Sequence, residues 1–297
     1  MKPFAFTVLM LSFAAHASDA TAPNPAALIG QTIVTQFVSA PFPHSSRTNG
    51  HQYKEEFFPA DKNYADSSVS IFIPKGFNAG SNVDYIVHFH GWRNTTLGAM
   101  EQFDLREQLS ESGRNAILIV PQGPHNAPDS SGGKLEDADG FKRFMDEAML
   151  ALKQRGSIKT HSRLGQIILS GHSGGYQVMS SIVERGGLTE QIREVWLFDG
   201  LYARSEKFLI WSQSNGGRLV NIYTDNGGTK ARSEEMISQL TQRGSNILVT
   251  TDAAVSLADL ATNQFVFLHT DMSHNEVLVK RRTFRKFLET SCLKAKP

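Results

Sequence analysis

A chain of 297 residues with 40% hydrophobic residues is long enough for one large α/β domain or two average ones, and too rich in core-forming side chains to be wholly disordered. Its 30 basic and 29 acidic residues nearly cancel, which excludes a nucleic-acid binder that relies on net charge, though not a local patch. The single cysteine, Cys292, excludes an intrachain disulfide and any multi-cysteine zinc or iron–sulfur site.

The N-terminus reads as an export signal. Met1-Lys2-Pro3 is a short positive start, Phe4 to Ala15 is an almost unbroken apolar run, and Ala15-His16-Ala17 gives the small-x-small pattern that signal peptidases cut after. About a dozen apolar residues are too few for a stable membrane anchor. Removing residues 1–17 leaves equal numbers of basic and acidic residues. The expectation is a soluble product in a bacterial periplasm or medium, which a chain with one thiol suits better than a disulfide-stapled secretome.

Residues 18–68 read as an N-terminal extension, with Gln31 to Val38 an edge strand and Pro41 to Asp66 a long polar loop. After that, strands and helices alternate. Ser70–Ile73, Tyr85–Phe89, Ala116–Val120, Gln166–Leu169, Val195–Phe198, Leu219–Tyr223 and Phe265–Leu268 are short apolar runs, as expected of strands buried on both faces of a parallel sheet. The clearest helical pattern places Phe141, Phe144, Met145, Ala148, Met149 and Leu152 on one face of a helix that starts near Asp137 or Asp139 and stops at Gly156. Others run near Leu97–Gly113, Gly175–Arg185, Ala231–Arg243 and Glu276–Leu288. With no internal repeat, low-complexity block or linker, residues 18–297 read as one doubly wound α/β domain.

One strand–turn–helix carries chemistry. Ile167-Ile168-Leu169-Ser170 runs into Gly171-His172-Ser173-Gly174-Gly175 and then Tyr176-Gln177-Val178-Met179. This is G-x-S-x-G between a buried strand and a helix, the context that gives the motif meaning. The turn lifts the Ser173 hydroxyl above the sheet at a helix N-terminus, where backbone N–H groups favour a developing oxyanion.

Here the chain resembles the α/β-hydrolase superfamily over about residues 69–290, through its strand order, this motif and two others. The second is His88-Phe89-His90-Gly91-Trp92 at the end of an earlier strand. The resemblance implies that Trp92 and Gly174 supply the two oxyanion-hole amides. His88 and His90 could instead be a metal pair, since H-x-H puts both on one strand face, but no third ligand is evident nearby. The third motif, His269-Thr270-Asp271-Met272-Ser273-His274-Asn275-Glu276, follows the last strand, where the superfamily keeps its catalytic histidine. That implies His274 as the base, His269 lying inside the strand.

For the acid, the superfamily's pattern admits Asp199, at the end of Val195–Phe198, or Asp225, at the end of Asn221–Thr224, more often the later position. Asp199 is preferred. It leaves a strand that is apolar to its last residue, whereas Asp225 opens an Asn-Gly-Gly turn where Asp commonly bonds its own backbone. Chain order is then Ser173, acid, His274, and the implied activity is a serine hydrolase cleaving a carboxylic ester through an acyl-enzyme. A peptidase or amidase would use the same triad, and a non-catalytic binding module would keep the same fold. No cofactor is expected: Asn226–Lys230 lacks P-loop spacing, and no G-x-G-x-x-G follows a strand. Leu201–Arg218 leaves room for one short helix and no cap domain, so a small-molecule or polymer ester is the expected partner. Extra length lies in Pro121–Leu135, expected to border the site, and in Asp252–Asn263.

Overall fold

The computed structural model describes residues 28–297. The expected export signal, residues 1–17, therefore lies outside the described residues. Eleven strands are found among them: β1 (Gly30–Gln36), β2 (His51–Tyr53), β3 (Glu56–Phe58), β4 (Ser68–Pro74), β5 (Asn82–Phe89), β6 (Ala116–Pro121), β7 (Arg163–His172), β8 (Ile192–Phe198), β9 (Arg218–Thr224), β10 (Ile247–Thr251) and β11 (Phe265–Thr270). The helices are α1 (Ala60–Asn63), α2 (Thr96–Gln102), α3 (Leu105–Glu111), α4 (Gly140–Gln154), α5 (Tyr176–Arg185), α6 (Ser205–Asn215), α7 (Lys230–Gln242), α8 (Leu257–Thr262) and α9 (Thr283–Glu289).

Nine strands form one sheet in the order β1-β4-β6-β5-β7-β8-β9-β11-β10. β4 runs antiparallel to both its neighbours, β1 and β6, and every other pairing is parallel. Apolar residues at successive strand positions divide between the two faces, as the two-residue pleat requires. Val195 and Leu197 of β8 join one core, and Trp196 and Phe198 join the other. The first core is covered by α4, α5, α6 and α7 through Phe144, Met179, Phe208 and Leu240. The second is covered by α2, α3, α8 and α9 through Met100, Leu109, Leu260 and Phe287. Both faces are thus dry, which is why the central strands read as unbroken apolar runs.

All seven apolar runs after residue 68 are strands, and the helix beginning at Gly140 buries its expected face and ends before Gly156, at φ +69°. Four expectations need correction. The helix expected over 97–113 is two, α2 and α3, broken at Asp104 with φ +48°. At about 100° per residue, Leu105 would point away from Phe103's side of a continuous helix; the break turns both inward. The helix expected over 276–288 begins only at Thr283, after Arg282 at φ +53°, and Val277 and Leu278 bury themselves in the preceding turns.

The polar stretch 41–66 is not a plain loop. It carries the β2–β3 hairpin, tied down by a satellite cluster of Phe42, Phe58, Tyr64 and Ala127. Finally, β10 was not foreseen, and Asp252–Asn263 contains α8 with a Ser256–Asp259 capping box. β10 is an edge strand paired only with β11, and none of its residues is fully buried, so it lacks the apolar run that marks the others. Between β8 and β9 stands the single helix α6, and no cap domain is present among the described residues.

The parallel strands end in register. Phe89 lies beside Gly171, His172 beside Phe198, and Thr224 beside Thr270. This carboxyl edge is where open α/β sheets place their ligands, and Trp92, Ser173, Gly174, Asp199 and His274 all follow strands that end here.

Candidate active site

β7 ends at His172, one 3₁₀ turn covers Ser173–Gly175, and α5 starts at Tyr176. Ser173 has φ +52°, a conformation that costs a non-glycine residue about 1–3 kcal/mol and persists only where its surroundings impose it. They do so here by close approach. A Cβ on Gly175 would lie 2.6 Å from the Phe89 carbonyl oxygen, and one on Gly171 would strike the Met179 sulfur. Because the first obstacle is backbone, Gly175→Ala should destabilise the fold by about 1–3 kcal/mol, read as a lower midpoint in chemical unfolding. An unchanged midpoint would mean that the turn is not held by this packing.

Asp199 follows β8 with φ +46° and is fully buried. Its Oδ2 lies 2.6 Å from His274 Nδ1 and accepts a hydrogen bond from Thr224 Oγ1 at 2.9 Å. Its Oδ1 accepts from the Thr224 amide at 3.2 Å and from the Thr229 hydroxyl. Burial alone would raise the carboxyl's pKa. The hydrogen bonds from His274, Thr229 and Thr224 outweigh it and hold the group below the ordinary carboxylate range. The Thr224 hydroxyl is fixed in turn by the Gly227 amide at 2.8 Å. Neither threonine was singled out in the sequence. Thr224 ends β9 next to Asp225, and Thr229 follows the Gly227-Gly228 turn, so only the folded chain brings them to Asp199.

His274 sits in the turn between β11 and α9, its side chain 31% exposed. His172 steadies it. The buried His172 ring lies 4.5 Å from the His274 ring, and its Nε2–H donates to the His274 carbonyl at 2.9 Å. Burial first, then the neighbouring His274, push the His172 pKa down to about 3, so the ring is a neutral donor. No hydrogen bond closes between Ser173 Oγ and His274, a looseness common in sites without substrate.

The other candidates fall elsewhere. Asp225 is half exposed and pairs with Lys230 at 2.7 Å and with His269 Nε2 at 3.0 Å. This His–Asp pair lies at the surface, unlike that of His274 and the buried Asp199. Asp225 does not simply cap its own turn, as its Asn-Gly-Gly context suggests. His88 and His90 are spent on separate contacts. His88 Nδ1 meets Ser170 Oγ at 2.9 Å, and its ring lies between Phe103 and Phe284. His90 Nδ1–H donates to the Gly91 carbonyl at 2.8 Å while its Nε2 accepts the Gly123 amide at 2.9 Å. His90 therefore joins the Gly91-Trp92 turn to the loop after β6.

Gly91 packs so near Ser173 that a Cβ on it would come within 2.8 Å of the serine Cβ. This brings the Trp92 turn to the elbow. The Trp92 amide meets no acceptor among the described residues, and Gly174 occupies the first turn of a helix, where amides have no intrahelical partner. A cavity of about 250 Å³ opens beside them, lined by Trp92, Ser130, Ser173, Gly174, Tyr176 and Tyr202. The Trp92 ring in turn meets that of Tyr53 of the hairpin edge-on at 5.1 Å. Ser130 comes from the 121–135 loop, which borders the site as expected. Ser130, Tyr176, Tyr202 and the hairpin carried no motif that could have flagged them.

No protein-family model matches this sequence, and no curated protein matches it. Solved structures do, at low identity. A feruloyl esterase module from Clostridium thermocellum complexed with sinapinate aligns with a TM-score of 0.55 at 10% identity, over 94% of this chain and 93% of that one. A ferulic acid esterase aligns with a TM-score of 0.52 at 12% identity, over 88% and 99%. The serine hydrolase FphF of Staphylococcus aureus aligns with a TM-score of 0.50 at 10% identity, over 88% and 99%. The likeness is one of fold: a mostly parallel central sheet with helices on both faces. The chain has the α/β-hydrolase fold.

Proposed function

We propose that the chain is an exported serine hydrolase that cleaves a carboxylic ester through Ser173, His274 and Asp199. One observation carries the reading: a fully buried, hydrogen-bonded carboxylate lies 2.6 Å from the imidazole of a histidine held beside a positive-φ serine elbow. That arrangement has a specific use. The Asp199 carboxylate keeps the proton on His274 Nδ1, leaving Nε2 to accept one. His274 takes the Ser173 proton as Oγ attacks the acyl carbon, and the Trp92 and Gly174 amides bind the oxyanion. His274 then gives that proton to the leaving alkoxide. In the second half, it takes a proton from water, the hydroxide attacks the acyl-enzyme, and Ser173 departs with the proton. The remaining site residues call for no cofactor.

The aromatic walls of the cavity suit an acyl group with a planar or apolar body, and the esterase names of the structural neighbours point the same way. With no cap domain among the described residues, the site is open to an ester on a small molecule or on a polymer. A panel of p-nitrophenyl esters and peptide anilides on the protein from residue 18 tests this. Esters should turn over and anilides should not; the reverse preference would make the protein an amidase. A fluorophosphonate should label Ser173 stoichiometrically, and failure of both turnover and labelling would leave a binding module on a hydrolase fold. Export predicts its own observable: the mature protein should begin at Ser18 by mass spectrometry. An intact Met1 in soluble protein would contradict it.

A further inference from the structure

Ser130 stands on an unusually fixed stretch of loop. Its neighbour Asp129 is buried and takes Arg47 in a two-pronged ion pair, Nε to Oδ2 at 2.7 Å and Nη2 to Oδ1 at 3.0 Å. The amide of the other neighbour, Ser131, also donates to Asp129 Oδ1, at 3.0 Å. Held this way, Ser130 Oγ accepts the Trp92 indole N–H at 2.8 Å. The same oxygen packs against the elbow. A Cβ on Gly174 would come within 2.5 Å of Ser130 Oγ. The hydroxyl therefore touches the side chain of one expected oxyanion residue and the backbone of the other, on the wall of the cavity that Ser173 faces. Among the described residues its own proton has no acceptor.

We propose that Ser130 is a third oxyanion donor, its hydroxyl turning its proton onto the oxygen that the Trp92 and Gly174 amides receive. The proposal rests on the esterase reading above. A hydroxyl that already accepts a hydrogen bond is polarised and donates more strongly. Its lone pair engaged by the indole leaves the proton free to rotate toward charge that develops only in the transition state. Such donors raise kcat with little effect on ground-state binding. The Arg47–Asp129 pair gives the 18–68 extension a part in this: it fixes the loop from outside the central domain core.

The competing role is structural, with Ser130 merely anchoring the Trp92 indole. Ser130→Ala, Trp92→Phe and the double variant separate the two, since Trp92→Phe removes the indole N–H but keeps the backbone amide. Ser130→Ala should lower kcat by about 100-fold with KM changed less than about threefold. Trp92→Phe should lose about tenfold or less. Binding of a trifluoromethyl ketone, which Ser173 converts to a charged hemiketal, should weaken in Ser130→Ala by the same factor as kcat, while binding of the product acid should not. Fluorophosphonate labelling of Ser173 should still go to completion. Ser130→Cys, a near-isostere with a weak donor, should fall between wild type and alanine, and it serves if the alanine variant folds poorly. Equal losses in the two single variants with no further loss in the double would reduce Ser130 to an anchor. So would a Ser130→Ala enzyme keeping more than a third of kcat. In both cases the triad reading would survive. A wild-type protein that neither hydrolyses esters nor takes the label would overturn both readings together.

Discussion

Ser173→Ala should lower kcat for ester hydrolysis by about 10⁴-fold or more and abolish fluorophosphonate labelling, while the thermal unfolding curve stays near wild type. The expectation has two parts. The fold is insensitive because alanine keeps the Cβ that packs near Gly91, and the lost hydroxyl makes no hydrogen bond to His274 in the free protein. The positive φ is paid equally by serine and alanine, so the elbow's strain does not distinguish them. Chemistry is sensitive because the nucleophile is gone, and water held by the oxyanion amides is a poor replacement. A residual rate above the uncatalysed one is expected from those amides alone. A variant that keeps more than about one hundredth of kcat would show that Ser173 is not the nucleophile, since losses at such positions are usually far larger. A large drop in melting temperature would instead mark the serine as part of the turn's structure.

The fold was legible wherever a local pattern and burial agree. β5 through β9 and β11 are buried on both faces, so their residues are apolar without alternation, and short apolar runs mark them. α4 was legible for the complementary reason: one face is buried and the other is wet. What escaped were elements whose stability is not local. β10 pairs along one edge only, and the β2–β3 hairpin survives through Phe58 and its contacts with Phe42 and Tyr64, which come from elsewhere in the chain. The breaks at Asp104 and Arg282 also escaped. Each is a single non-glycine residue in the left-handed region, set by the packing of the residues that flank it, and nothing in its own side chain marks the position.

The site divides along the same line. Gly171, Ser173 and Gly175 are contiguous, so the elbow could be read directly. The acid could not, because Asp199 and Asp225 end neighbouring strands with similar local chemistry. Burial separates them: Asp199 is wholly enclosed and Asp225 is 49% exposed. The enclosure is made by Thr224, Thr229 and Gly227, which lie 25 to 30 residues downstream of Asp199. His172 was visible only as the variable position of its motif, although it stacks on His274 and holds the turn by its carbonyl. Ser130 sits in a loop whose composition says only that it bends.

The two aspartates give the second large effect. Asp199→Asn should cut kcat by about 10⁴-fold, and the hydrogen-bond pattern says why. Oδ1 of Asp199 receives two donors, the Thr224 amide and the Thr229 hydroxyl, so an asparagine would leave its carbonyl oxygen there. Its NH₂ would then face His274 Nδ1, which must accept rather than donate. The imidazole proton moves to Nε2, and the nitrogen turned toward Ser173 can no longer take a proton. Acid should mimic the substitution. Because hydrogen bonds depress the Asp199 pKa despite its burial, the carboxylate stays ionised through the ordinary carboxylate range as pH falls. Loss of activity by its protonation should therefore appear only below that range. Asp225→Asn is the control. Its carboxylate meets Lys230 and His269 at the surface, and pairs of that kind contribute little; kcat should stay within about twofold. The opposite pattern would transfer the role to Asp225 and His269 and dismantle the site described here. Two mild effects would point to a Ser173–His274 dyad or to another carboxylate. Asp271 is a poor one, being 78% exposed and paired with Arg281 at 2.7 Å. The asparagine variant should also keep its fluorophosphonate reactivity only in trace, since that reaction needs the same proton transfer from Ser173.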